Sequence, residues 1–156
     1  LSDYRFKVLE NLLRNIGDEQ VIIWCNYHKE FAVIQDMLGD KCACVYGKVS
    51  IEDKNKNLKN FKEGKVQYLV ANPASADKGL TLTNARFAIY FSMNDSLELF
   101  EQSADRIYGD KSKQPHRCTY YIIQAKGTID EVIYRSIKNK ENVSMAILNY
   151  LKGGIQ

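Results

Sequence analysis

The sequence predicts an α/β fold, a three-layer sandwich around a mostly parallel sheet, and two observations carry that prediction. Short, unbroken apolar runs recur along the chain, as in strands buried on both faces. Between them lie longer stretches with apolar residues at three- and four-residue spacing, the period of a helix. Strand and helix in alternation give a parallel sheet covered on both sides.

Taken in order, residues 3–16 put Tyr4, Val8, Leu9, Leu12, Leu13 and Ile16 on one helical stripe, with Gly17 as a C-terminal stop. Val-Ile-Ile-Trp-Cys at 21–25 is the first strand. Asn26, Tyr27 and His28 make a polar turn, and residues 29–38 form a helix with Phe31, Ile34 and Leu38 at helical spacing, closed by Gly39. The second strand spans 42–46 and is followed by Gly47-Lys48-Val49-Ser50. Ser50 and Asp53 have the spacing of a capping box for a helix through Lys62, which Gly64 ends. The third strand spans 66–71, a loop of small residues 72–79, the fourth strand 87–91 and the fifth 117–123. Residues 95–109 read as a helix with Leu97, Phe100, Ala104, Ile107 and Tyr108 on one side. Glu98, Gln102 and Asp105 share the other side, with Arg106 beside Gln102. Asp95 is the expected N-cap, with Glu98 closing a capping box. Thr128 and Glu131 have the same spacing at the start of a long last helix running towards Leu151.

The 156 residues suit one domain with a proper core. Hydrophobic residues are 45% of the chain and charged residues 26%, and no apolar run reaches membrane-spanning length. The net charge of +3 does not by itself argue for nucleic acid. The local distribution says more, with Lys54, Lys56, Lys59, Lys62 and Lys65 in one short segment and Lys111, Lys113, His116 and Arg117 in another. Such runs are usually solvated faces and weigh little alone. Cys25, Cys42, Cys44 and Cys118 all fall in strand-like runs, without Cys-x-x-Cys or paired histidines, so buried free thiols in a reducing cytosol are expected and no metal site. The first residue is Leu, so a piece of a longer protein is expected.

In a sheet of this kind ligands gather at the carboxyl ends of the strands. The loops at 26–28, 47–50, 72–79 and 92–95 should share that edge. The helix at 95–109 starts from the last of them and can hold out an amide, a carboxylate and a guanidinium, a trio suited to a phosphate-bearing ligand. A solvated face with accidental polar neighbours is the other reading. A phosphate-binding loop is missing: after Lys48 comes Val49, no Gly sits at the required spacing before it, and G-x-G-x-x-G does not occur. No acidic pair follows an apolar strand, and no serine lies in a nucleophile elbow. As a hydrolase in its own right the chain lacks parts.

The segment Val70-Ala71-Asn72-Pro73-Ala74-Ser75-Ala76-Asp77-Lys78-Gly79-Leu80-Thr81-Leu82-Thr83 resembles motif V of the Swi/Snf-type helicase-like ATPases. Ser96-Leu97-Glu98-Leu99-Phe100-Glu101-Gln102-Ser103-Ala104-Asp105-Arg106-Ile107-Tyr108 resembles their motif VI, in the wording of phage and bacterial members. Residues 22–28 resemble motif IV, and Ala125-Lys126-Gly127-Thr128-Ile129-Asp130-Glu131 the closing segment before the family's last helix. The blocks cover nearly the whole chain in order.

The resemblance implies a RecA-like C-terminal lobe, P-loop NTPase-like without its own P-loop, spanning 1–156 and excised from a longer, cytoplasmic, bacterial or phage-encoded protein. It implies an ATP-dependent DNA translocase or helicase in which two lobes clamp one ATP with Mg. The Walker loop and magnesium acid belong to the N-terminal lobe, the expected partner, so the isolated chain should not hydrolyse ATP. Arg106 and Gln102 would approach the triphosphate, with Asp105 holding Arg106. Asp77, Lys78 and Gly79 would couple nucleotide to track. Asn26, Tyr27, His28, Lys48, Ser50, Asn72, Pro73 and Ser75 would meet the backbone of nucleic acid, expected to be DNA, without reading its sequence. Two positions depart from the family. Gly109 stands where a second arginine is usual, and Asp77 stands where glycine is common. The alternative implied by Gly109 is a degenerate lobe that binds nucleic acid or protein without turnover.

Overall fold

The computed structural model describes residues 3–76, 81–108, 117–140, 146 and 150–152. The main elements among the described residues are α1 (Asp3–Ile16), β1 (Val21–Trp24), α2 (His28–Leu38), β2 (Cys42–Val45), α3 (Ile51–Lys62), β3 (Tyr68–Ala71), β4 (Phe87–Tyr90), α4 (Leu97–Tyr108), β5 (Thr119–Ile122) and α5 (Ile129–Lys138). The strands form one sheet in the order β2-β3-β1-β4-β5, and every pairing is parallel. The chain is therefore an α/β sandwich of the predicted kind, with β1 at the centre of the sheet.

Alternation along each strand divides the core in two. Ile22 and Trp24 of β1 face one cluster with Leu58 and Phe61 of α3, Ile107 of α4, and Ile133 and Ile137 of α5. Val21, Ile23 and Cys25 face the other, with Leu9 and Leu13 of α1 and Phe31 and Ile34 of α2. Cys44 lies in that second cluster and Cys42 packs against it, so both thiols share one face of β2 as expected. Among its described residues the crossover from β3 to β4 has no helix. It packs Ala76, Leu82 and Ala85 onto the α3–α4–α5 side.

The edge strand β2 has one face of its backbone turned away from the sheet. The carbonyls of Lys41 and Val45 accept bonds from Gln67 and Asn72 on the β3 side. Alternation then points the carbonyl of Cys44 outward, where Asn57 Nδ2 of α3 donates to it at 2.9 Å.

Two helix boundaries, the start of α4 and the end of α5, differ from the sequence expectation. Helix α4 starts at Leu97 and is capped by Ser96, whose Oγ accepts from the Leu99 N–H at 3.2 Å; Asp95 is exposed and is not the cap. A serine hydroxyl at that place satisfies an orphan amide of the first turn. Thr128 caps α5 through the Asp130 N–H. The long last helix stops at Lys138: Asn139 is its C-cap and Lys140 takes a left-handed φ of 55°. Helical backbone returns at Ala146 and at residues 150–152. The apolar stripe that suggested one continuous helix carries no information about this turn.

Candidate functional site

Parallel strands put their carboxyl ends on one edge, and two asparagines bind four of those ends together through side-chain and backbone N–H groups. The Asn72 N–H donates to Val45 O at the end of β2, and Asn72 Nδ2 donates to Cys25 O after β1. Asn26 Nδ2 donates to Ser92 O after β4 at 2.7 Å, and the Asn26 N–H donates to Ser92 Oγ at 2.9 Å. Asn26 and Asn72 are therefore occupied in holding the edge, not free for a ligand through these nitrogens.

Beneath the loop after β1 lies a residue that sequence reasoning missed. Glu30 is 0% exposed. Its Oε2 accepts from Ser92 Oγ at 2.6 Å and from the Tyr27 and Asn26 N–H groups at 3.2 and 3.3 Å. Its Oε1 is buried with no hydrogen-bond partner among the described residues. The available signal was the spacing: Glu30 is the third residue of α2, where a glutamate reaches back to the N-cap amide of Tyr27. Burial raises the Glu30 pKa from 4.5, against the lowering effect of those bonds and of Arg5. The folded carboxyl thus keeps its proton to a higher pH than the unfolded chain does. This group's contribution to stability is full below pH 4.5 and is lost as pH rises through the folded value. Glu30→Gln, neutral throughout, should gain stability relative to the parent chain as pH increases across that window. Urea unfolding at a series of pH values measures this, and a difference that stays constant with pH would refute it.

The other predicted track residues lie on the same edge. Tyr27 and His28 are exposed, and the His28 ring sits 5.8 Å from that of Tyr46, which joins the loops after β1 and β2. Lys48 is exposed. Ser50 is exposed and caps α3, accepting from the Asp53 N–H at 3.1 Å and donating to Asp53 Oδ2 at 2.8 Å. Pro73 is buried and Ser75 half-buried, in a turn closed by the Ser75 N–H on Asn72 O at 3.0 Å.

Helix α4 is anchored by its inward face. Tyr90 of β4 stacks towards Trp24 at 6.5 Å and Phe100 at 4.8 Å, and its hydroxyl lies 2.8 Å from the buried Ser103 Oγ. Burial pushes the Tyr90 phenol well above its ordinary value, so it stays neutral. The polar trio does not stand on one open face. Arg106 is only 7% exposed, with Nη2 donating to Ala76 O at 3.0 Å. The Arg106 carbonyl in turn accepts from the Leu82 N–H at 2.8 Å. One residue of α4 thus grips the β3–β4 crossover both before and after residues 77–80. Gln102 is half-buried and donates to Glu98 Oε1 at 2.8 Å, while Asp105 is exposed. Among the described residues, this donor set of guanidinium and amide fits phosphate oxygens and not a divalent cation. Asp77, Lys78, Gly79, Gly109, Lys111, Lys113 and His116 lie outside the described residues.

Known proteins are similar to this chain in sequence and in fold. The p41 protein of the Acyrthosiphon pisum secondary endosymbiont phage 1 is 27% identical over 156 residues, 97% of this chain and 32% of p41. The ATP-dependent RNA helicase drs1 of Aspergillus oryzae is 29% identical over 102 residues, 64% of this chain and 12% of drs1. The chain spans about a third or less of the length of these relatives. The solved C-terminal part of the Fun30 ATPase domain has the same fold, with a TM-score of 0.71 at 17% identity over 84% of this chain and 44% of that one. The family described as "Helicase conserved C-terminal domain" matches residues 4–109, which includes four of the five strands and all of α4. With the grip of α4 on the β3–β4 crossover beside that match, the chain belongs to the helicase conserved C-terminal domain family.

Proposed function

We propose that the chain is the second motor lobe of an ATP-dependent translocase or helicase, working against an N-terminal lobe that carries the Walker loop and the magnesium acid. The observation that carries this reading is the buried guanidinium of Arg106, held on Ala76 O at the carboxyl edge. A guanidinium oriented by a backbone carbonyl is a preorganised donor for phosphate oxygens, and a triphosphate brought across a cleft would supply them. In this reading Arg106 and Gln102 face the phosphates, and Asp105 and the Asp77-Lys78-Gly79 segment serve that site. Asn26, Tyr27, His28, Lys48, Ser50, Asn72, Pro73 and Ser75 line the track. ATP with Mg is the fuel, and the protein is a hydrolase through both lobes together.

The Swi/Snf-like wording of the blocks favours DNA as the track. Likeness to an ATP-dependent RNA helicase favours RNA. Joining the chain to its native N-terminal lobe and measuring ATP turnover with duplex DNA, single-stranded DNA and RNA tests both the role and the track. The joined protein should turn over ATP in response to one of them, and the chain alone should not. Absence of stimulated turnover from the joined protein would overturn the motor reading.

A second reading, a binding lobe without turnover, is favoured by Gly109 in the place of a second arginine. Gly109→Arg in the joined protein separates the two. A gain in turnover of tenfold or more, about 1.4 kcal/mol of barrier, would support degeneration. An unchanged rate would mean that Arg106 suffices or that another cation serves; a lysine there lacks the bidentate fork.

A further inference from the structure

The loop after β1 presents an aromatic ring to solvent from a rigid base. Tyr27 is 56% exposed. Its backbone N–H is fixed by the buried Glu30 carboxylate, which also fixes Asn26 and Ser92. One residue on, His28 lies against Tyr46, and Tyr46 stacks on the buried Phe31 with ring centroids 4.2 Å apart and planes 22° apart. A column of rings thus rises from the core to the edge at this loop. Exposed Lys29, in the first turn of α2, and exposed Lys48, in the loop after β2, bring positive charge to the same edge.

Phosphate oxygens have no use for the face of a tyrosine; they take the lysines and the backbone amides. The complement of an exposed ring face is another π face, and on a nucleic acid that is a base. Bases within a duplex are already stacked on their neighbours and present only their edges in the grooves. We infer that Tyr27, held at its backbone by Glu30 and next in sequence to the His28–Tyr46 pair, is a stacking platform for an unpaired base, so that the strand crossing this loop is single-stranded. The inference rests on the reading of this edge as the nucleic-acid track and adds to it the state of the strand and a contact to base, not phosphate. Glu30 acts as its positioning residue.

The test is a cycle between protein and strand. Binding of the full-length protein is measured to oligothymidylate, to oligouridylate, and to strands of the same length carrying a run of abasic sites, which keep the phosphates and remove the bases. Tyr27→Ala should weaken binding to the base-bearing strands by about 5- to 150-fold. It should leave the abasic strand unchanged, and Tyr27→Phe should bind like the parent. Tyr27 is outside both core clusters, so the variants keep the fold. Equal binding of normal and abasic strands by the parent protein would overturn the stacking role while leaving the track reading intact. Equal loss on both strands in Tyr27→Ala would do the same. If the protein bound no strand at all, the track reading itself would fall and the inference with it.

Discussion

Replacing Arg106 by alanine in the joined two-lobe protein should lower ATP turnover by about 10³–10⁵-fold, the span seen when an arginine is withdrawn from a phosphoryl-transfer site. The reason is geometric as well as electrostatic. The guanidinium is almost fully buried and held by Ala76 O, so its orientation is settled before nucleotide arrives. Preorganised donors aimed at developing charge do not have to reorganise during reaction. The loss should therefore fall on kcat more than on KM for ATP. Alanine also removes a charged donor from a buried carbonyl, a stability effect of about 1.5–3 kcal/mol, so urea unfolding must accompany the kinetics. Arg106→Lys keeps the charge but not the fork and should recover little of the rate. A turnover within tenfold of the parent in a folded Arg106→Ala protein would remove Arg106 from the ATP site.

Trp24→Ala should produce the second large effect, a loss of about 3–5 kcal/mol of stability. That is a large share of the roughly 5–15 kcal/mol that holds a domain together. Trp24 is 0% exposed at the end of the central strand, in the cluster shared by α3, α4 and α5. It stacks on Tyr90, which carries Phe100 and Ser103 of α4. The cavity would therefore open directly under the helix that bears Arg106. The indole Nε1 has no hydrogen-bond partner among the described residues, so Trp24→Phe forfeits volume but no bond and should cost clearly less than alanine. Urea unfolding of the chain measures both. Equal costs for the two would mean that the indole N–H, not the ring, is what the site needs.

Much of this architecture was legible because the strands are buried on both faces. Continuous runs such as residues 21–25 and the helical stripes between them leave little choice but a parallel sheet, and a parallel sheet puts the loops at Asn26, Lys48 and Asn72 on one edge. What escaped was the direction of single polar side chains. A helical wheel sorts Arg106 with Gln102, yet a long side chain on the border of the wheel can turn inward when a carbonyl waits for it, as Ala76 O does. Ser96 displaced Asp95 as the cap for a similar reason: both can cap, and only the packing of Leu97 and Phe100 decides which residue begins the helix. Glu30 was the hardest. A glutamate next to a lysine at the start of a helix reads as solvent-facing, and its burial depends on Ser92, sixty-two positions away.

The amide of Asn57 on the outward carbonyl of Cys44 bears on how the protein keeps to itself. An edge strand with free backbone groups is a template on which another chain can add a strand, the usual route to sheet-to-sheet aggregation. β2 is four residues long, and one of its outward acceptors is already taken by a side chain from its own α3. One outward acceptor of the β2 margin is thereby withdrawn from strand addition by the fold itself, without a charged residue in the strand.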